Sequence, residues 1–331
     1  MMTGQMAQIE TVLSALAPVG LSLALGNQYI DFLRKRYMGQ YIREDGPQSH
    51  QSKAGTPTAG GVLILGSFLF AVLVLAVIKG MAFLTVPVLL VTGVTLVFGL
   101  LGFVDDYLKI SKKKNKGVSG YTKLAVQITA GLLVGWFAMQ TAPAGDVSFF
   151  GLFSFQLGWL YPVFAAFVIT ATSNAVNLTD GLDGLASGTS LMTFMTLGML
   201  LMVSGQANLA MLALALAGAA LGFLMFNRHP ARIFMGDTGS LALGGALGAL
   251  VVLAHLEFWV VLLGVVFVLE ALSVVLQVLS FKTTGKRIFR MSPLHHHFEL
   301  GGWKETQVVY SFVTFQFFCC MLAVFLYNGG V

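Results

Sequence analysis

Ten long apolar runs stand out along the chain, at 11–33, 57–78, 84–104, 123–141, 159–176, 187–204, 208–226, 239–255, 258–280 and 307–327. A helix that crosses a bilayer needs about 20 such residues, so each run predicts one transmembrane helix. Some separators, such as Ser204 to Ala207 and His255 to Glu257, leave room only for tight helical hairpins. One stretch breaks the pattern: 142–158 is polar at first and then alternates through Val147, Phe149, Leu152, Phe153 and Phe155, which predicts a short β-hairpin on the outer side. No repeat of supersecondary length is present.

Composition fixes the solvent. The 331 residues are 56% hydrophobic and 10% charged, where a soluble domain is about 25% charged. Disorder, coiled coil and collagen are excluded, and a mean hydropathy of +0.83 leaves too little polar surface to cover a soluble globule. The expected fold is an all-α polytopic membrane protein of about ten transmembrane helices, with residues 1–331 forming a single integral membrane domain. Small-xxx-small spacings at Gly218/Gly222 and Gly244/Gly248 predict close helix packing.

The net charge of +5 brings nucleic acid to mind, but the basic residues sit between apolar runs. The alternate loops 34–56, 105–123, 177–186, 227–238 and 281–306 hold 18 of the 19 lysines and arginines, leaving only Lys79 on the other side. By the positive-inside rule these loops are cytoplasmic, and the N- and C-termini are extracytoplasmic. No nucleic-acid partner is expected. The first run follows Glu10 with no basic residue before it and precedes Arg34, Lys35 and Arg36, the reverse of a cleavable signal peptide. Cys319 and Cys320 are adjacent in an apolar run and offer no disulfide framework.

Five aspartates fall on the same predicted face. Asp105 and Asp106 close the third run, Asp180 and Asp183 lie in Asn177-Leu-Thr-Asp-Gly-Leu-Asp-Gly184, and Asp237 follows Gly236. Ionisable groups near lipid are costly and usually line a polar cavity or pathway, so their recurrence predicts one cytoplasmic-face active site. A carboxylate set of this kind suits Mg2+, a hard cation that takes oxygen ligands and substrate phosphates. A solvated helix end beside the positive run Lys109 to Lys116 accounts for Asp105 and Asp106 equally well. A transporter also carries intramembrane acids, but near the bilayer midplane rather than at one face.

Gly236 and Gly239 let backbone amides approach a ligand, and Thr238 with Ser240 are placed to cap the eighth helix, whose N-terminus then favours an anion. Phe234 beside them is able to stack on a flat base or simply to pack. Lys123 either points a cation at the site or snorkels. The tract His295-His296-His297 lacks the further spaced ligands of a zinc site; among basic neighbours it suits phosphate or sugar contacts, with a solvated basic loop as the plain alternative. Gly117 to Lys123 lacks the spacing of a P-loop, and no dinucleotide fingerprint follows a strand.

Together, the tract Gly55 to Gly61, Asp105-Asp106, Asn174 to Ala186 and Met235 to Ser240 resemble the polyprenyl-phosphate N-acetylhexosamine-1-phosphate transferases over nearly the whole chain. Pro293 to Leu300, followed by Gly302-Trp303-Lys304-Glu305, is similar to the branch that uses UDP-N-acetylmuramoyl-pentapeptide; the sister branch using UDP-N-acetylglucosamine carries a different histidine loop. The resemblance implies transfer of phospho-N-acetylmuramoyl-pentapeptide to undecaprenyl phosphate, giving lipid I and UMP, in peptidoglycan synthesis at the bacterial cytoplasmic membrane. It also implies Mg2+ as cofactor and a homodimer. By position, Asp237 is then the magnesium ligand and Asp105 the group that deprotonates the lipid phosphate, with Asp106 beside it. Asn177, Asp180 and Asp183 line the nucleotide and metal region, Phe234 stacks on uracil, and Lys123, His295, His296 and His297 meet the diphosphate and sugar.

Overall fold

The computed structural model describes residues 2–36, 55–111, 117–141 and 146–328. Among them, each of the ten apolar runs is a helix: α1 (Met2–Arg36), α2 (Gly61–Lys79), α3 (Val86–Ser111), α4 (Gly120–Thr141), α5 (Tyr161–Thr179), α6 (Leu185–Val203), α7 (Ala207–Asn227), α8 (Gly236–Leu253), α10 (Val265–Thr284) and α12 (Glu305–Asn328). Each is long and apolar enough to cross a membrane, and the chain is a multi-pass membrane protein. The basic stretches 37–54 and 112–116 lie outside the described residues.

Two boundaries differ from the pattern in ways that matter. The third helix does not stop at Asp105-Asp106 but runs one and a half turns further to Ser111, because Lys109 at i+4 pairs with Asp105 at 2.6 Å and extends the helix. The ninth run is broken: α9 (Val260–Leu263) ends at Gly264, and α10 starts anew. A further short helix, α11 (Leu294–Glu299), carries the three histidines.

α8 is the axis of the bundle. Its stretch Thr238–Leu253 is buried without interruption, which requires apolar or small residues all round rather than one stripe. Glycines bring its neighbours to near contact. A Cβ on Gly244 or Gly248 would meet Ser173 or Thr172 of α5 at 2.6 or 2.4 Å, and one on Gly102 of α3 would lie 2.1 Å from the Asp237 carbonyl. Gly218 and Gly222 of α7 face Ala15 and Ser22 of α1 in the same manner. Close packing therefore explains both glycine pairs, as the spacing indicated.

The bundle has two chemically distinct ends. Residues 142–145 lie outside the described part, but β1 (Asp146–Phe149) and β2 (Phe153–Gln156) form the expected antiparallel hairpin, with Val147 opposite Phe155. It seats Phe149 and Phe155 on Phe258, at 5.0 and 6.2 Å between ring centroids. At the end opposite the aspartates, Lys79 pairs with Glu10 at 3.0 Å, so the one lysine outside the basic loops has a local acidic partner.

Candidate active site

The other end of the bundle gathers the C-terminus of α3, the start of α4, the C-terminus of α5 and the N-terminus of α8. Asp105 is fully buried and accepts hydrogen bonds or ion pairs at both oxygens: Oδ2 from Lys109 at 2.6 Å, and Oδ1 from Lys123 at 2.9 Å and the Val118 amide at 2.7 Å. A Cβ on Gly117 would lie 2.2 Å from Oδ1. The glycine-rich tract before α4 is thus a wrap around a carboxylate, not a phosphate loop. Lys123 spans the cluster, its Nζ reaching Asp237 Oδ2 at 2.7 Å, and Lys109 adds a contact to the same oxygen at 3.3 Å. Asn177, in the last turn of α5, donates to Asp237 Oδ1 at 3.0 Å and to Ser240 at 2.8 Å.

Asp106 has a different task. Its Oδ1 accepts the Asp237 amide at 3.1 Å, while its Oδ2 accepts the Thr238 amide at 3.0 Å and the Thr238 hydroxyl at 2.7 Å. This corrects the sequence expectation for the start of α8. Thr238 and Ser240 do not cap it: Ser240 bonds back to the Gly236 carbonyl at 2.9 Å, and the cap is a carboxylate from α3. The reason is electrostatic. The first turn of a helix offers unpaired N–H groups and a positive dipole end, and a buried anion answers both better than a neutral hydroxyl. The anion-favouring end of α8 is therefore taken by Asp106.

Asp180 follows α5 directly. Loss of hydration on burial, reinforced by the negative charges of Asp237 and Asp106, pushes its pKa from 3.8 up to about 8. The Gly236 amide, which donates to it, works in the opposite direction. Asp183 looks the other way. Its Oδ2 accepts the Ala231 amide at 3.0 Å and meets His229 Nδ1 at 3.1 Å, while its own amide donates to Glu305 at 2.8 Å. Asp183, His229 and Glu305 thus tie the α5–α6 turn to the α7–α8 loop and to α12 in a cluster separate from that of Asp237.

Phe234 is half-buried three residues before Asp237, and its backbone holds the loop on the segment before α2: its amide donates to the Pro57 carbonyl at 2.9 Å and its carbonyl accepts from Gly60 at 2.8 Å. Of the histidines, His295 is buried beside Gly181, whereas His296 and His297 are half-exposed. His296 meets Glu299 at 3.0 Å, and His297 Nδ1 accepts the Arg290 amide at 3.1 Å. The geometry therefore joins Asp105, Asp106, Lys123, Asn177 and Asp237 in one network with Asp180 at its edge. Asp183 and the histidines stand around the adjoining turn.

Sequence reasoning missed Lys109, whose i+4 spacing from Asp105 was a readable signal. It also missed Glu305, His229 and Glu270. The last was visible as the one acid in the ninth apolar run, 258–280.

Nearest carboxylate oxygens of Asp105, Asp106 and Asp237 all lie within 4.8 Å of one another. Three carboxylates against two ammonium groups leave one net negative charge, and an all-oxygen donor set of this kind fits a hard divalent cation such as Mg2+.

Residues 86–255 match the family model described as glycosyl transferase family 4. The phospho-N-acetylmuramoyl-pentapeptide-transferase of Bacillus pumilus (strain SAFR-032) is 47% identical over 313 residues, covering 92% of this chain and 94% of its own length. The protein of the same name from Bacillus licheniformis is 48% identical over 308 residues, and that of Bacillus thuringiensis (strain Al Hakam) 46% over 313, with the same coverage. At that identity, sustained along almost the full length of both partners, the chain belongs to the phospho-N-acetylmuramoyl-pentapeptide-transferase family within glycosyl transferase family 4.

Proposed function

We propose that the protein transfers phospho-N-acetylmuramoyl-pentapeptide from UDP-N-acetylmuramoyl-pentapeptide to undecaprenyl phosphate, releasing UMP and leaving lipid I in the membrane. The observation that carries the reading to the residues is the Lys123 ammonium, held between Asp105 at 2.9 Å and Asp237 at 2.7 Å beside the N-terminus of α8. Two anions must meet for this reaction, and positioning with charge stabilisation supplies most of the catalysis in phosphoryl transfer. Lys109 and Lys123 are the cations of the site, and an arriving diphosphate would compete with the carboxylates for them. Asp237, with Asp105 beside it, would hold Mg2+, which when bound neutralises the diphosphate and polarises its phosphorus. Asn177 and Asp106 fix the Asp237 side chain and backbone respectively.

The step is a single displacement. An oxygen of the lipid phosphate attacks the β-phosphorus of the nucleotide, the bond from that phosphorus to the bridging oxygen breaks, and UMP leaves with the electron pair. Asp106 has both oxygens spent on the backbone and hydroxyl donors of α8 and is not placed to act as a nucleophile, while Asp105 and Asp237 are held by the two lysines, the Val118 amide and Asn177. For Asp105 to take the proton of the lipid phosphate, an ammonium must first leave it, which the incoming diphosphate provides for. The lysine and arginine bias of the loops supports a cytoplasmic-face site in the bacterial inner membrane with both termini outside, and the family resemblance supports a homodimer.

Purified protein given undecaprenyl phosphate with either UDP-N-acetylmuramoyl-pentapeptide or UDP-N-acetylglucosamine tests the reading. UMP and lipid I are expected from the first nucleotide only. UMP from the glucosamine nucleotide alone would replace the assignment with that of the sister branch.

A further inference from the structure

Glu270 is an acid in the second turn of α10, a helix with a lipid-facing side, yet it is completely buried. Its Oε1 accepts the His295 amide at 3.2 Å and meets His295 Nδ1 at 3.1 Å. An oxygen that already accepts the amide serves as acceptor for the ring as well, so the ring donates from Nδ1 and carries its lone pair on Nε2. That Nε2 is buried and has no hydrogen-bond partner among the described residues. It faces Gly181, where a Cβ would lie only 2.3 Å from it, so it stands against the turn that links Asp180 to Asp183. The His295 ring is 4.2 Å from that of His296. α11 has no side-chain cap of its own at Pro293; the acceptor for its first turn comes from α10.

We infer that Glu270 is a positioning residue for the transfer: it fixes the ring and tautomer of His295, which seats the start of α11 on the Asp180–Asp183 turn and sets His296 and His297 beside the site. An ionisable group inside a membrane helix is costly unless it is used, and a second carboxylate that orients a histidine through its other ring nitrogen is a recurrent way of fixing tautomer and direction. The inference rests on the transferase reading for its kinetic arm and on geometry alone for its spectroscopic arm.

The test uses full-length protein labelled with [15N]histidine in lipid nanodiscs, with E270L, which removes the acceptor at similar volume, E270D and, for assignment, H295Q. Wild type is expected to show a protected histidine ring with its proton on Nδ1 that disappears in H295Q. In E270L that ring should move to the Nε2-protonated or averaged pattern, and kcat for UMP release should fall roughly 10²-fold, the scale of a misplaced catalytic group, with the nucleotide KM little changed. E270D should restore the Nδ1–H pattern and part of the rate. A wild-type His295 protonated at Nε2, an E270L protein with wild-type kcat, or a slowed E270L whose His295 signature is unchanged would each overturn the inference. If E270L does not fold, E270D and the wild-type spectrum decide it. Wild type that releases no UMP would sink the transferase reading instead, while the ring signature still reports on Glu270.

Discussion

Asp106 and Glu270 perform the same mechanical act in two parts of the molecule. Each is a buried carboxylate on one membrane helix that accepts the first-turn amides of another element, Asp106 for α8 and Glu270 for α11. The difference lies in how completely each is used. Asp106 spends both oxygens on three donors and fixes the backbone of Asp237, whereas Glu270 uses one oxygen for His295 and leaves Oε2 without a partner among the described residues. The first is a tight joint inside the charged network; the second is a looser joint at its border. Elements that carry site residues are thus docked by carboxylates from neighbouring spans, with the fuller set of hydrogen bonds inside the charged network.

Substitutions should respect that difference. Asp237→Asn removes a charge from the centre and should cost roughly 10³-fold or more in kcat, the scale of losing one key electrostatic group, with elution in detergent unchanged. Near-normal turnover at ordinary Mg2+ would contradict the role given to Asp237. Asp106→Asn keeps a carbonyl for one of the α8 donors and should cost about 10²-fold by displacing Asp237, with a lowered Tm from the weakened cap, worth about 1 kcal/mol. If Asp106→Asn slowed turnover as much as Asp237→Asn without lowering Tm, Asp106 would be acting on substrate directly and the comparison with Glu270 would fail.

The smallest effect is expected at the far end of the bundle. Burial pushes the Glu257 carboxyl from 4.5 up to about 7, against a hydrogen bond from Tyr161, and its Oε2 has no partner among the described residues. Below about pH 4.5 both folded and unfolded chains hold the proton and the group costs nothing; between 4.5 and 7 only the unfolded chain ionises, so stability falls as pH rises and levels off above 7. Glu257→Gln keeps an acceptor for Tyr161 and should remove this slope, gaining about 1–3 kcal/mol at pH 8. Thermal melts across pH check it; an unchanged slope would refute the assignment, and lost activity would show that the two ends are coupled.

Much of this was legible in the chain. Ten apolar runs gave ten helices because hydropathy over 20 residues is a one-dimensional property, and the aspartates were found because charge at a span end is conspicuous. The cap on α8 was misread because the sequence shows Thr238 and Ser240 nearby but not the helix that packs across them. That packing depends on Gly102 letting α3 within contact of the Asp237 carbonyl. Glu270 escaped for the opposite reason: within an apolar run it was counted as part of a span, though its partner His295 sits on α11, a six-residue helix too short to leave a periodic signal. Likewise Asp183 could be grouped with Asp180 by spacing, but only the fold turns it toward His229 and Glu305.

The most direct test of the central claim, that these carboxylates and lysines assemble a metal-assisted phospho-sugar transfer site, is lipid I formation by purified protein as Mg2+ is removed and restored. The account predicts no lipid I or UMP in excess chelator and full recovery on adding Mg2+, with recovery lost in Asp237→Asn. Undiminished lipid I formation by metal-stripped wild-type protein would contradict it.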